Sequence, residues 1–394
     1  MLVADSSEDK IRINLVDPRW TKEALMELKK TTSFICPSCR TPVQLKIGET
    51  RIPHFAHINT CSIQGEKESL YHMDGKIQLH DWLQNQGIKG ELETYYPSIK
   101  QRADVVAEID DETICFEFQC AKISEQEKLA RTNGYEKEQL SVKWILGGNR
   151  VKRLKTYEYR FNHFVWDFIQ LNSAGISYLL SYCSKLKAFI LLDSIVPFSK
   201  QTIFANTTIL PSSQLSFQQF LQPTNVSWEP VVFQKQWMMK RDRFRNVPKV
   251  HVSKKEKRLQ ALIYEQYGIP LTLVPSEAFI PLKEAWRLKE AVYVWQTIVL
   301  HALESISEGE VFHLQRVLWL MNRNVNFEHF TQEKDIVQTV VQSYLNKLST
   351  LGIIHKVKRN EYKKSNYSFF LSSYEAIQKR DKQMDTFFRQ KRKV

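Results

Sequence analysis

Two short apolar segments, each carrying one acidic residue, most strongly constrain what this chain can fold into. They are Arg102-Ala103-Asp104-Val105-Val106 and Phe116-Glu117-Phe118-Gln119. Their β-branched and aromatic residues predict strands, and the acidic link Asp110-Asp111-Glu112 predicts a hairpin turn. Neighbouring antiparallel strands bring Asp104 and Glu117 together near one end of a sheet. Because two buried carboxylates repel each other, the pair predicts a site for a divalent cation, Mg²⁺ or Mn²⁺.

The sequence around these strands predicts an α/β domain. Apolar periodicity predicts a helix over 66–86, and alternation predicts a strand over 89–96. A helix over 124–139 and an apolar strand over 142–146 follow the two acidic strands. The order α-β-β-β-α-β resembles the common core of the PD-(D/E)xK nuclease superfamily, which carries an Asp on one strand and Glu/Asp-x-Lys on the next.

Three residues of the first helix are candidates for the same site. Glu68, His72 and Lys76 recur every four residues and therefore share one helix face. Such spacing is most often a solvated face with an ordinary ion pair. Because the helix directly precedes the acidic strands, we expect Glu68 to add a carboxylate to the metal pocket. We expect His72 and Lys76 to contact phosphate or to position water.

Gln119 departs from the superfamily pattern, which has lysine two residues after the acid. An amide can hydrogen-bond the attacking water but contributes no charge. Lys122 or Lys76 are candidates for the missing cation, and whether the site is catalytic stays open. Arg131 and Tyr135, four residues apart on the next helix, are predicted to contact the DNA backbone. A surface arginine packed over a tyrosine explains the same spacing.

Cysteines and histidines near the beginning of the chain predict a structural zinc site. Cys36-Pro37-Ser38-Cys39 has the spacing with which two thiolates of one turn hold an ion, and His57 and Cys61 follow. His54 is the alternative third ligand, and a pair of buried cysteines with incidental histidines is the alternative to zinc. A hairpin over 1–15, a helix over 21–30 and a ribbon of strands over 43–47 and 50–52 are predicted around these ligands.

The chain resembles the competence protein CoiA family. The resemblance rests on motifs in a shared order: Cys36-Pro37-Ser38-Cys39, Pro53-His54-Phe55-Ala56-His57 with Cys61, Glu68 and His72 with Lys76, Arg102-Ala103-Asp104-Val105, Phe116-Glu117-Phe118-Gln119, and Arg131 with Tyr135. It covers about residues 1–150 with specific motifs and suggests that glutamine is normal at position 119. It implies a restriction-endonuclease-like fold and a cytoplasmic protein of naturally competent bacteria that acts on incoming DNA before or during recombination.

The rest of the chain predicts a mainly helical, basic half. Residues 153–285 are expected to be helical, with their aromatic side chains forming a core. The segment Lys235–Arg258 is expected to be an exposed boundary or arm that binds phosphate. Within this segment, the residues predicted to contact DNA are Lys240, Arg241, Arg243 and Arg245.

The final segments predict a winged-helix-like domain and a tail. Three helices, followed by strands over 353–358 and 367–371, have the outline of a winged helix, which contacts DNA or another protein. The basic tail over 373–394 is expected to be a mobile arm that binds phosphate.

The charge of the chain favours a polyanionic partner. The chain has 56 Lys and Arg against 43 Asp and Glu, a formal net charge of +13, which favours nucleic acid before anionic membrane. Six cysteines and acidic residues directly after Met1–Ala4, where a signal peptide would be apolar, predict a cytoplasmic protein. The apolar run Ile176–Phe198 is interrupted by charged residues and does not predict a membrane span.

We divide the chain into a hairpin and zinc-knuckle domain (1–64), a nuclease-like domain (65–152), a helical basic region (153–285), a winged-helix-like domain (286–372) and a tail (373–394). The leading hypothesis is a DNA-processing protein with a metal-dependent nuclease site. Its expected partners are single-stranded or branched DNA and recombination proteins. The alternatives are a non-catalytic DNA-binding adaptor with a degenerate nuclease fold and a winged-helix transcription factor.

Overall fold

The structure is a computed structural model that describes residues 1–49, 51–59, 68–109, 112–222, 230–247, 251–325 and 334–390. The chain divides into two compact units. The first unit comprises Met1–Lys152, His163–Leu192 and Thr207–Thr224, and the second comprises Arg153–Asn162, Asp193–Asn206 and Asn225–Val394. The finer division into five segments stays a prediction.

The chain begins with an antiparallel sheet and one helix. The elements are β1 (Val3–Ser6), β2 (Arg12–Asn14), α1 (Lys22–Thr31), β3 (Phe34–Ile35), β4 (Pro42–Lys46) and β5 (His54–His57), and the strand order is β2-β1-β3-β4-β5. Thr21 caps α1 by accepting a hydrogen bond from the Ala24 amide. The predicted hairpin and helix are confirmed. The strand predicted over 50–52 is wrong, since the ribbon strand is β5; Thr50 lies outside the described residues.

The next elements form the predicted α-β-β-β-α-β core. They are α2 (Leu70–Asn85), β6 (Lys89–Leu92), β7 (Tyr95–Tyr96), β8 (Gln101–Arg102), β9 (Val105–Ile109), β10 (Glu112–Gln119), α3 (Glu125–Lys137) and β11 (Ser141–Gly147). Strands β7 and β8 form a separate small ribbon. Strand β9 is antiparallel to β6 and β10, whereas β11 is parallel to β10. Helix α3 supplies the crossover that a parallel pair requires. The predicted turn residues 110–111 and helix residues 66–67 lie outside the described residues.

Helix α2 approaches strand β10 closely at a glycine. A Cβ atom at Gly75 would stand 2.0 Å from a ring carbon of Phe118, so a larger residue would force the helix away from the strand. His72 lies three residues before Gly75 on the same helix face, and Lys76 follows His72 by four residues and shares a face with it. The close packing therefore directs both side chains toward the sheet.

Residues 153–211 consist mainly of strands, so the prediction of a helical region is wrong there. The elements are β12 (Lys152–Arg153), β13 (Glu158–Arg160), α4 (His163–Trp166), β14 (Gln170–Leu171), β15 (Ser177–Cys183), β16 (Ala188–Ser199) and β17 (Thr202–Pro211). Strand β15 pairs in parallel with β11 and extends the sheet of the first unit. The aromatic side chains are buried, as predicted: Tyr157, Tyr159, Phe161, Phe164, Trp166 and Phe168. Among the residues that the structure describes, no helix has both the length and the apolar content that crossing a membrane requires.

The remaining chain is more helical and includes a small sheet. Its labelled elements are α5 (Phe217–Leu221), α6 (Pro230–Asn246), α7 (Lys254–Tyr267), α8 (Val292–Glu304), β18 (Val311–His313), α9 (Leu314–Val325), α10 (Lys334–Thr350), β19 (Ile354–Lys358), β20 (Glu361–Lys364) and α11 (Tyr374–Gln390), and the sheet order is β18-β20-β19. Short 3₁₀ helices occur at Gly148–Arg150, Ser212–Gln214, Leu271–Leu273, Ser276–Phe279 and Lys283–Leu288. The strand predicted over 367–371 is wrong, because β19 turns directly into β20. The winged helix stays a prediction.

The described residues of the basic segment, 235–247 and 251–258, belong mainly to helices α6 and α7 and do not form an exposed arm. Within α6, Arg241 and Arg245 are 5% and 7% exposed and pair with acids of α11. The Arg245 Nε atom lies 2.5 Å from Asp381, and the Arg241 Nη1 atom lies 2.7 Å from Asp385. The prediction that these two arginines contact DNA is therefore corrected: they join two helices. The tail, predicted to be mobile, forms α11 as far as Gln390, while Lys249 and residues 391–394 lie outside the described residues.

Candidate active site

Acidic side chains form a row across three neighbouring strands. Val105 of β9 pairs with Phe116 of β10 on one side and with Leu92 of β6 on the other. Extending this register by one residue gives the next row across the three strands. That row consists of Glu93, Asp104 and Glu117. Asp104 directly precedes β9 and Glu117 lies in β10, so the two predicted metal ligands stand across from each other at one end of the sheet.

Asp104 is an ionised carboxylate with several donors around it. Its Oδ2 atom accepts a hydrogen bond from the Phe118 amide at 2.9 Å and lies 3.2 Å from His72 Nε2. The Lys76 Nζ atom lies 3.8 Å from Oδ1. Burial raises the pKa of Asp104, but the positive charges of His72, Lys76 and Arg131 and the hydrogen bond from His72 outweigh burial and hold the pKa at about 2.

The pKa of Glu117 is raised, in contrast to that of Asp104. It is 1% exposed, and burial raises its pKa to about 7, with a further contribution from the negative charge of Asp104. Arg131 donates to Glu117 Oε2 at 2.5 Å, and the Tyr135 hydroxyl donates to Oε1. These two donors oppose the increase but do not cancel it.

Tyr135 does not have its predicted role, whereas the DNA contact of Arg131 stays a prediction. Both lie on one face of α3, but this face points at Glu117. Tyr135 is fully buried and therefore does not face a DNA backbone. Arg131 keeps 30% of its side chain exposed while it pairs with Glu117.

A buried ion-pair cluster lies beside Asp104. Lys76 is fully buried, and its Nζ atom lies 3.0 Å from Glu68 Oε1 and 2.5 Å from Glu93 Oε1. Arg102 donates to Glu68 Oε1 at 2.7 Å. Glu68 precedes Ser69, the N-cap of α2, and so does not belong to the helix as predicted. Because Lys76 is fully buried in this cluster, its predicted contact with phosphate is corrected. Glu68 lines the neighbouring cleft, and its contact with a metal ion stays a prediction.

A cleft of about 640 Å³ opens beside Asp104 and is lined by His72, Gln119 and an excess of cationic side chains. The cations are Lys100, Arg102, Lys122, Arg131 and Arg150. The acids of the lining are Glu68, Asp104 and Glu127, and Glu117 is not part of it. Gln119 Nε2 donates to the carbonyl of Ala121 at 2.9 Å. Such a lining attracts a phosphate-bearing ligand.

Three predicted zinc ligands converge at the edge of the first sheet. The ligand atoms of Cys36, Cys39 and His57 all lie within 4.8 Å of one another, and Cys39 Sγ is 3.3 Å from His57 Nε2. His54, three residues earlier on β5, points to the opposite face of the strand, which favours His57. Cys61 lies outside the described residues. Among the described residues, no other three Cys, His, Asp or Glu side chains come so close together, so the acid row is not a compact three-carboxylate group.

Sequence reasoning missed Glu93 as a member of the site. Glu93 could have been identified from its position directly after β6. The antiparallel pairing of β6 with β9 brings a residue at that position next to Asp104. It also missed that Arg102 pairs with Glu68. The four-residue spacing of Arg131 and Tyr135 identified their shared helix face but could not identify Glu117 as their partner.

Comparison with known proteins assigns the chain to a family. Residues 68–225 match the description "Competence protein CoiA, nuclease-like domain", residues 233–377 match its C-terminal domain and residues 18–64 match its N-terminal domain. The chain is 30% identical over 343 residues to the Competence protein CoiA of Bacillus subtilis (strain 168), an alignment that covers 84% of this chain and 90% of the relative. The chain therefore belongs to the competence protein CoiA family.

Proposed function

We propose that this protein is a metal-dependent DNA nuclease that processes incoming DNA during natural transformation and recombination. The observation that carries the proposal is the ionised Asp104, which stands across from Glu117 at the wall of a cationic cleft. The nuclease-like domain over 68–225 and the printed name of the relative support a role in competence.

The residues present fit a hard divalent cation. Carboxylate oxygens are the donors that Mg²⁺ and Mn²⁺ prefer, and Asp104 and Glu117 supply them from adjacent strands. Glu117 has a raised pKa because it is buried and lies near another acid, so it would gain from a nearby cation. When bound, the ion would lower the pKa of a water molecule and neutralise charge on the phosphate. Arg131 holds the Glu117 carboxylate in the structure and would have to release it.

The chain's own residues have separate roles in this proposal. His72 contacts Asp104 and stacks on Phe118 with ring centroids 5.8 Å apart, and so fixes the carboxylate. Gln119, at the cleft wall, hydrogen-bonds the attacking water. The exposed Lys122 and the arginine Arg150 bind the phosphates of the strand being cut.

The test is cleavage of labelled single-stranded and branched DNA with Mg²⁺ or Mn²⁺. We expect Asp104→Asn and Glu117→Gln each to reduce the cleavage rate by at least about a hundredfold, because each removes a ligand charge. The matched control is Glu108→Gln with Glu112→Gln, two exposed acids of the same two strands. Variants that cut as well as the parent would show that this site is not the active one.

A non-catalytic adaptor is the second candidate. The contacts of Arg131 and Tyr135 with Glu117, together with Gln119 in place of lysine, favour it, because Glu117 already has protein partners. Under this proposal the chain binds DNA and a recombination partner but does not cut. The parent protein separates the two proposals: metal-dependent cleavage supports the nuclease, whereas binding without cleavage supports the adaptor.

We also propose a structural Zn²⁺ held by Cys36, Cys39 and His57, with Cys61 as the fourth ligand from its spacing in the sequence. Two thiolates of one turn and an imidazole form a typical zinc donor set. Four protein ligands leave no open position for a substrate, so the ion would stabilise the N-terminal sheet without taking part in a reaction.

A further inference from the structure

The second unit contains a groove that is separate from the residues proposed for cleavage. Its volume is about 520 Å³. Helix α6 and strand β13, with the turn before it, supply its cationic side chains, and Phe198, Phe244 and Tyr293 contribute an apolar floor. We propose that this groove binds a single strand of nucleic acid through its phosphates.

One wall of the groove is a single face of α6, which Val247 continues directly after the helix. Met239, Arg243 and Val247 succeed one another at four-residue intervals, with Lys240 beside them. Met239 and Val247 are 50% and 47% exposed, and Arg243 is exposed as well. This face therefore presents apolar and cationic side chains side by side. Arg241 and Arg245 lie elsewhere on the helix and pair with α11.

The opposite wall is strand β13 and the turn before it. Glu158 and Arg160 are two residues apart, so they point to the same side of the strand, whereas the buried Tyr159 points to the other. The exposed Lys155 precedes the strand and also lines the groove. Arg160 therefore faces the groove beside Lys155.

The groove has an excess of positive charge. Its lining carries the cations Lys155, Arg160, Lys240 and Arg243 and one acid, Glu158. Glu158 is 3% exposed and lies 2.5 Å from Lys240 Nζ and 4.0 Å from Lys155 Nζ. Within the described part of the chain, neither Arg160 nor Arg243 has an acidic partner at salt-bridge distance. These two arginines are therefore available to phosphates.

The combination of apolar and cationic side chains in the groove walls favours a single strand over a duplex. A duplex offers a regular array of phosphates and keeps its bases stacked inside, whereas a single strand also offers bases to apolar side chains. Met239 and Val247 lie beside Arg243 and supply such a surface. The inference rests on the proposed function only in naming nucleic acid as the polyanion.

The experiment measures binding of the full chain to fluorescein-labelled oligothymidylate by fluorescence anisotropy, in buffer without Mg²⁺ or Mn²⁺, over a series of salt concentrations. The triple variant Lys155→Ala, Arg160→Ala, Arg243→Ala removes three phosphate contacts. We expect it to bind at least about tenfold more weakly and to reduce the slope of log affinity against log salt by about 2, since each contact with a single strand contributes about 0.7.

The control removes the same charge from exposed positions outside the groove. Lys22→Ala, Lys29→Ala, Lys185→Ala is expected to bind within about twofold of the parent. Equal losses in the two triple variants would overturn the proposal, as would a groove variant that binds like the parent while keeping its melting temperature. Competition by polyglutamate as effective as that by unlabelled oligonucleotide would also overturn it. Binding is measured without metal and without catalysis, so weaker binding by the groove variant supports this proposal whether or not the parent protein cleaves DNA.

Discussion

At the scale of single residues, the two neighbouring acids Asp104 and Glu117 have pKa values shifted in opposite directions. Asp104 has a pKa of about 2 because its neighbours are mainly cations, whereas Glu117 has a pKa of about 7 because burial and Asp104 outweigh its two donors. Near pH 7 Asp104 is therefore ionised and Glu117 is about half ionised, and a bound divalent cation would favour the ionised form of both.

The raised pKa of Glu117 predicts that this residue lowers the stability of the folded protein at high pH. Its pKa rises from 4.5 to about 7 on folding, so the folded state binds more protons than the unfolded state between these pH values, and stability falls as pH rises through this window. The full cost above pH 7 is about 3 kcal/mol. Glu117→Gln removes it, and we expect the variant to gain stability relative to the parent at pH 8 but not at pH 4.

Urea unfolding at both pH values measures this gain. Glu112→Gln, at an exposed position of the same strand, is the control and should show no such dependence. Mg²⁺ should stabilise the parent at pH 8 more than it stabilises the variant. A difference between parent and Glu117→Gln that is the same at pH 4 and pH 8 would contradict this account of Glu117.

The residue types of the site could be predicted from the sequence, but several of their partners could not. Asp104 and Glu117 were identified because an acid in an apolar strand is costly without a partner. Lys76, Arg131 and Tyr135 were also identified, yet as contacts for an outside ligand. The structure gives them internal partners, because spacing along one helix does not show which strand the helix covers.

At the scale of elements, the first sheet brings the predicted zinc ligands together. Strand β5 pairs with β4 so that His57 lies across from Val43, and this register carries His57 to the cysteine turn. The sequence predicted the ligands but placed the strand over 50–52, because it could not show that the histidines themselves belong to the strand.

This arrangement predicts about one zinc ion per chain. Cys36→Ser, Cys39→Ser and His57→Ala should each lose most of the metal and lower the melting temperature, because the sheet then loses a cross-link. His54→Ala should keep the metal, since His54 points to the other face. Elemental analysis of the purified proteins measures the zinc, and Cys183→Ser is the control. Full zinc occupancy in Cys39→Ser would rule out this ligand set.

The strands over 177–211 show where a pattern in the sequence is ambiguous. A continuous apolar run fits a buried strand and a buried helix equally well, and flanking residues decide between them. Here the turn at 184–187 divides the run, and Lys187 has a positive φ of 50°. The core helices and strands over 70–147 were predicted more accurately because turns and caps separate them.

At the scale of the whole molecule, a net charge of +13 overstates what is available to a ligand. Arg241 and Arg245 pair with α11, and Lys76 and Arg102 pair inside the first unit. Other cations are grouped along the cleft beside Asp104 and along the groove of the second unit, and further exposed lysines lie outside both. Composition predicted a polyanionic partner, but only the structure separates the structural cations from the exposed ones.

The most direct test of the central claim is Mn²⁺ binding to the zinc-loaded protein, followed by electron paramagnetic resonance. We predict one bound Mn²⁺ per chain, with binding weakened at least about tenfold by Asp104→Asn and by Glu117→Gln. The control pair Glu108→Gln and Glu112→Gln should bind like the parent. Mn²⁺ binding that is unchanged in Asp104→Asn and Glu117→Gln would contradict the claim that these two carboxylates share a cation.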